Sequence, residues 1–297
     1  MNPNSQYFIL GSSGQLGYVV SEMSVQPLEY GGDIRDKIAL QEFIMAHRIA
    51  GARGYLINCA AKTNVDWCET HAEEAIEVNA HAVQNLLEIA NEFDLTIIHI
   101  STNFVFNTAD LIAIPDTCTE CYAVNEYGRS KLLAENYLLN APHVKSYIVR
   151  TSWLYSKRGP FLKNVLGTMQ ANKPIFAATD IWSVPTSTTW VANYIWRIIA
   201  ALEEEEILPR IHHCVPLLWA SQYEYLNYLG SLFHAYCLLP NESVPNIVPM
   251  LGDQIYSKRA VRPKHAVLQP STSLDLNPST WQLELAIEIK NMEKSYI

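Results

Sequence analysis

Three continuous apolar runs, at residues 7–10, 55–61 and 95–102, constrain the fold of this chain more than any other feature. They read YFIL, YLINCAA and LTIIHIST, without the polar alternation of a strand that has one wet face. Such runs are strands buried on both faces, as in a parallel sheet covered by helices. Residues 73–93 supply one covering helix, with Ala75, Val78, Ala82, Leu86 and Ile89 at helical spacing on one face. A second helix is expected in SKLLAENYLLN (130–140) and a further strand in SYIVRTSWLY (146–155). The βαβ series implies an α/β fold with a doubly wound parallel sheet and ligands at the carboxyl ends of its strands.

Beyond residue 155 the alternation loosens. Helices are expected near 160–171 and 188–202, followed by the Pro-rich LPNESVPNIVPM (239–250) and an amphipathic segment from Trp281. Residues 1–155 therefore read as the nucleotide-binding half, rejoined by roughly 176–200. Residues 156–175 and 201–297 read as a smaller, partly interleaved substrate-binding half.

A 297-residue chain with 49% hydrophobic residues can fill both cores. The net charge of −9 and the absence of a basic run argue against nucleic acid or an anionic membrane surface as partner. No leader pattern and no membrane-length apolar segment occurs, so a cytoplasmic protein with a small-molecule partner is expected. Monomer and homodimer are both left open. Six scattered cysteines do not form a disulfide framework, and the Cys118/Cys121 pair lacks the second pair that a structural zinc site needs, so no metal is expected. His212 and His213, in RIHHCV, read as strand residues, and residues 203–206 as a solvated helix end.

Three short motifs carry the chemistry. In GSSGQLG, Gly11, Gly14 and Gly17 follow the first apolar run, where a strand-to-helix turn could cradle a pyrophosphate or merely bend at the surface. Ser101 and Thr102 end the third run; a hydroxyl there can hold a carbonyl oxygen or cap the next turn. Tyr127 and Lys131 stand four apart, on one face of a helix, where an ammonium would bring a phenol toward useful acidity. Chance also produces that spacing. The three together, in this order, point to dinucleotide-dependent carbonyl chemistry.

These motifs resemble the extended short-chain dehydrogenases/reductases and, within them, the dTDP-4-dehydrorhamnose reductases. The chain gives GSSGQLG, NCAAKTNVDWCE, STNFVFNT, YGRSKLLAE and RTSWLY where that family has GxxGQLG, NxAAxTxVDxxE, STDYVFDG, YGxSKLxGE and RTSWxY. The resemblance continues in VPTS (184–187), RAVRPKHAVLQPS (259–271) and the Trp281 segment. It implies a Rossmann-type sheet and reduction of the 4-keto group of a nucleotide-linked 6-deoxyhexose. It implies Gly11, Gly14, Gln15 and Leu16 at the cofactor pyrophosphate, Asp33 and Ile34 near the adenine, and Ala60, Ala61 and Lys62 along the ribose. Asn79 would brace the active-site strand. Thr102, Tyr127 and Lys131 would be catalytic, with Tyr127 and Lys131 also at the cofactor. Val65, Asn103, Phe104 and Trp153 would face the sugar nucleotide, and Arg262 and Lys264 its phosphates.

The chain departs from the family pattern in three places. The stretch from Gly17 to Asp33 is short, with Pro27 expected to interrupt the second strand. Asn103 and Phe104 replace Asp and Tyr, and Ile181 and Ser183 replace Gln and Gly. Dehydratases of similar fold carry two carboxylates after the threonine, which this chain lacks; a non-catalytic dinucleotide-binding regulatory subunit and an epimerase or dehydratase remain the alternatives. NADH or NADPH would serve as cofactor. Glu29, about 18 residues after Gly11 and followed by no nearby cation before Asp33, leans the choice to NADH.

Overall fold

The computed structural model describes residues 4–239, 245–274 and 277–296; part of the Pro-rich stretch, 240–244, lies outside the described residues. Its principal strands are β1 (Ser5–Leu10), β2 (Pro27–Tyr30), β3 (Arg53–Asn58), β4 (Leu95–Thr102), β5 (Ser146–Thr151), β6 (Ile175–Ala178), β7 (Ile211–His213) and β8 (Ile247–Met250). The main helices are α1 (Gln15–Glu22), α2 (Lys37–His47), α3 (Ala82–Glu92), α4 (Glu126–Leu139), α5 (Pro160–Gln170), α6 (Thr188–Glu203), α7 (Gln222–Ala235) and α8 (Trp281–Tyr296).

Six strands form one parallel sheet in the order β7-β5-β4-β3-β1-β2. Alternate residues of its central strands enter two different cores. Phe8, Leu10, Leu56 and Ile97 meet Leu40, Leu86 and Leu138 of α2, α3 and α4. Tyr7, Ile9, Ile57 and Ile98 meet Leu16, Val20, Val191 and Ile195 of α1 and α6 on the opposite face. Helices therefore cover both faces, which is why these strands read as unbroken apolar runs. Pro27 begins β2 instead of interrupting it, a position where its missing N–H costs no ladder bond. The shortened stretch still yields an eight-residue α1.

The spacing predicts one helix over 73–93, and the structure divides it. A short helix Ala72–Ile76 leads into a π-helical turn Glu77–His81, and α3 follows. The wider turn carries Asn79, whose buried amide is spent on other segments. Its Oδ1 accepts from Lys62 N at 2.7 Å, and its Nδ2 donates to Lys62 O at 3.0 Å and Ser130 Oγ at 2.9 Å. A π turn at a functional element is a recurrent device.

A smaller lobe is built from α5, α7 and α8, with Tyr155, Leu162, Leu229, Phe233, Trp281 and Leu285 in one core. Strands β6 and β8 pair in parallel beside it. Between those segments the chain returns to the large sheet: α6 packs on its face, and β7 extends its edge beside β5. Thus 175–178 lies with the smaller lobe and 211–213 in the large sheet. Among the described residues no helix is long and apolar enough to cross a membrane.

Candidate active site

The turn after β1 is shaped by its lack of side chains. Gly11 has φ +75°, and a Cβ there would lie 2.7 Å from Ala60 N. Only glycine suits both demands. Gly14 N donates to Gly11 O at 3.0 Å, and Gly14 is the N-cap of α1 with an extended backbone. The opening amides of α1 are thereby held beside the ends of β1 and β3, the arrangement that receives a pyrophosphate. A cavity of about 360 Å³ starts here, with Gly14, Gln15, Leu16, Ala60 and Ala61 on this wall. These residues fit a dinucleotide.

The opposite wall holds Thr102, Asn103, Phe104, Tyr127, Lys131 and Trp153. Tyr127 and Lys131 sit at the start of α4, fixed by its N-cap. Asn125 Oδ1 accepts from Gly128 N, and Asn125 Nδ2 donates to Val261 O, each at 2.8 Å. Gly128 lets the helix approach the strand end closely, since a Cβ would fall 2.3 Å from Phe104 O. Thr102 caps the next turn, its Oγ1 accepting from Phe104 N at 3.2 Å at the start of the Asn103–Val105 turn, and the residue lines the cavity.

Burial pushes the Tyr127 phenol up to about 12, and its hydrogen bond with Thr102 opposes that shift. Burial pushes Lys131 down to about 8 against the pull of Glu135. Lys131 Nζ lies 3.1 Å from His99 Nε2, not on a carboxylate. Glu135 is occupied by Arg150, whose Nη2 donates to Oε2 at 2.6 Å and Nε to Oε1 at 3.0 Å. Both members of this pair are buried, and Ser101 Oγ donates to the same carboxylate. The ion pair ties α4 to β5 beneath the two cavity-facing residues.

Two of the departures noted in the sequence meet here. Asn103 Nδ2 donates to Ser183 Oγ at 2.9 Å and to Ala266 O at 2.8 Å, so the buried amide joins the β4 end to the segments around Ser183 and Ala266. A carboxylate has no proton for either bond. The Phe104 ring meets the Tyr127 ring edge-on at 5.8 Å. Trp153 has φ +36°, rare for a bulky residue and typical of strained functional positions.

Other candidates lie outside the cavity wall. Asn79 braces Lys62 from behind, and the Lys62 ammonium pairs with Glu74 at 3.2 Å. Ile34 is buried in the sheet core, and Asp33 is held by Arg35, which keeps its carboxyl below the usual range. Val65 opens the helix Val65–Thr70. Arg262 pairs with Asp66 at 2.8 Å, and Lys264 with Asp180 at 3.2 Å and Asp253 at 3.0 Å. Cys59 and Thr63, which lie within the NCAAKTNVDWCE motif but are assigned no role from it, also line the cavity. The sequence did not reveal a second cavity of about 350 Å³, lined by Phe161, Gln222, Tyr225 and Tyr256. Trp153 and Leu154 line both cavities, so the two adjoin.

The RmlD substrate binding domain family matches residues 6–294. The chain belongs to this family. The dTDP-4-dehydrorhamnose reductase of Mycolicibacterium smegmatis is 29% identical over 91% of this chain and 80% of its own. The dTDP-4-dehydrorhamnose reductase structure from Clostridium acetobutylicum superposes with a TM-score of 0.83 at 26% identity, covering 97% of this chain and 99% of that one. The Bacillus anthracis enzyme of the same name, solved in complex with NADP, superposes with a TM-score of 0.85 over 97% and 99% at 23% identity, which establishes the shared fold.

Proposed function

We propose that this RmlD-family chain reduces the 4-keto group of a nucleotide-linked 6-deoxyhexose, with a dTDP-4-keto sugar as the first substrate to test. The observation that carries the reading is the meeting of Thr102, Tyr127 and Lys131 on one cavity wall opposite the glycine turn. Gly14, Gln15, Leu16, Ala60 and Ala61 would hold a nicotinamide dinucleotide, which supplies the hydride when bound.

The chain's own residues supply position and the proton. Thr102 Oγ1 would hold the ketone oxygen, and Tyr127 would donate its proton to that oxygen as negative charge develops. A positive Lys131 would favour the resulting phenolate. The phenol, raised by burial, is protonated at neutral pH, as a proton donor must be. Trp153 and the adjoining aromatic cavity offer stacking surface for the nucleotide of the substrate. Asn103 and Phe104 stand where elimination would need two carboxylates, which favours a reductase over a dehydratase.

The test is net oxidation of NAD(P)H by the protein with a dTDP-4-keto-6-deoxyhexose. A reductase consumes one cofactor per ketone. An epimerase or dehydratase recycles its hydride, and a regulatory subunit binds dinucleotide without turnover. No oxidation across dTDP-, UDP-, GDP- and CDP-linked 4-keto sugars, with dinucleotide binding confirmed, would overturn the reading.

We propose NADH over NADPH. Glu29 is exposed on β2, its carboxylate accepting from Ser21 Oγ, and Arg35, the next cation along the chain, is held by Asp33. A 2′-phosphate would meet negative charge before positive. Titration should give the tighter dissociation constant for NADH; NADPH binding about tenfold tighter, roughly 1.4 kcal/mol, would reverse the assignment.

A further inference from the structure

Behind Lys131 lies a buried row of three polar side chains: Asn58 at the end of β3, His99 in β4 and Lys131 itself, none more than 2% exposed. Asn58 Oδ1 accepts from Ala60 N at 3.1 Å, which fixes the orientation of the amide. Its Nδ2 therefore faces His99 Nδ1, 3.1 Å away. An amide nitrogen only donates, so Nδ1 must be the bare, accepting nitrogen. A neutral imidazole then carries its hydrogen on Nε2, and that atom faces Lys131 Nζ at 3.1 Å. An imidazolium would set two donors against each other at Nδ1, and burial beside Lys131 drives His99 well below its usual range. An ammonium at Lys131 has no lone pair with which to receive the Nε2 hydrogen; a neutral amine has one.

We propose that His99, oriented by Asn58, is a positioning residue that presents an N–H to Lys131 and selects its neutral amine until a ligand brings an acceptor to Nζ. The other titratable groups around Lys131 do not reverse this. Glu135, one turn further along α4, is matched by Arg150 of β5. Tyr127 on the same helix and Cys59 beyond β3 are both pushed up to about 12 by burial and stay uncharged. Burial lowers Lys131 in the same direction, to about 8, and the facing N–H of His99 takes it further toward the neutral amine.

Protein labelled with 15N at histidine gives the test, with the His99 signals assigned by their loss in His99→Gln. The unliganded protein should show His99 as the neutral Nε2–H tautomer from about pH 6 to about pH 9. Asn58→Asp keeps the acceptor for Ala60 N–H but sets a carboxylate against Nδ1. That should switch His99 to the Nδ1–H tautomer and leave Nε2 to accept from a Lys131 ammonium. An Nδ1–H tautomer or an imidazolium in the unsubstituted protein would overturn the proposal, whatever Asn58→Asp does. The kinetic arm rests on the reductase reading. Because that reading needs a charged Lys131, the alkaline limb of kcat/KM should move up by about one pH unit or more in Asn58→Asp. A limb that stays in place after the tautomer has switched would overturn the link to Lys131, whereas an undecorated loss of rate at every pH is the mark of mere structural damage and would do the same. Absence of any turnover would sink the reductase reading while the tautomer measurement still decides the proposal.

Discussion

Tyr127 and Asn103 show how differently two residues of one cavity respond to a single-atom change. Tyr127→Phe removes the proposed proton donor and keeps the ring against Phe104. It should lower kcat by roughly 10² or more with dinucleotide affinity nearly unchanged, read from steady-state kinetics beside a binding titration. Undiminished turnover would remove Tyr127 from the chemistry. Asn103→Asp restores the carboxylate common in the family, yet here it should destabilise by about 1–3 kcal/mol in urea unfolding, because it faces the Ala266 carbonyl without a proton to donate. Equal or greater stability would mean that the link to Ala266 contributes nothing.

Among the elements, α4 bears the greatest consequence, since it carries Tyr127 and Lys131 and is fastened below by Glu135. Glu135→Gln leaves Arg150 buried without a counter-charge, and breaking such a pair from one side costs about 3–5 kcal/mol. A loss under about 1 kcal/mol in denaturant unfolding would show that His213, Cys121 and the Phe106 ring hold the guanidinium without it. The helix, its Tyr/Lys spacing and the strand ending in Thr102 were legible because each rests on a local period or a contiguous motif. The strand Ile211–His213 was identified as a strand but not as a sheet member; three residues, two of them histidine, carry no both-faces-buried signature. The π turn escaped notice because its cause, the Asn79 amide, bonds to residues 17 and 51 positions away. The second cavity joins Phe161 to Tyr225 and Tyr256, a juxtaposition no local pattern encodes. Arg262 and Lys264 were legible as cations, whereas their pairing with Asp66, Asp180 and Asp253 was not.

At the scale of the whole molecule, stability should be sensitive to acid. Burial holds His212 and His213 at about 4, below the 6.5 of an unburied histidine. The unfolded chain therefore binds more protons between those values, so the stability these groups confer is complete above about pH 6.5 and is lost as pH falls toward about 4. Unfolding free energies from urea titrations at pH 7 and pH 5 should differ by about 4 kcal/mol, and a flat profile would show that neither ring is held neutral. The interleaving of the two lobes has a temporal consequence as well. A chain emerging from the ribosome has all six strands of the large sheet once His213 is out, and with them the glycine turn, Thr102, Tyr127 and Lys131. The smaller lobe cannot close its core so early, because Trp281 packs edge-on against Tyr225 and Tyr228 at 5.8 and 5.2 Å, and Leu285 and Ile289 fill the space beneath. During synthesis the large sheet and its glycine turn are thus complete some seventy residues before the aromatic cavity acquires its backing, and on the proposed reading a nascent chain would pass through a stage competent to hold cofactor before it could grip a sugar nucleotide.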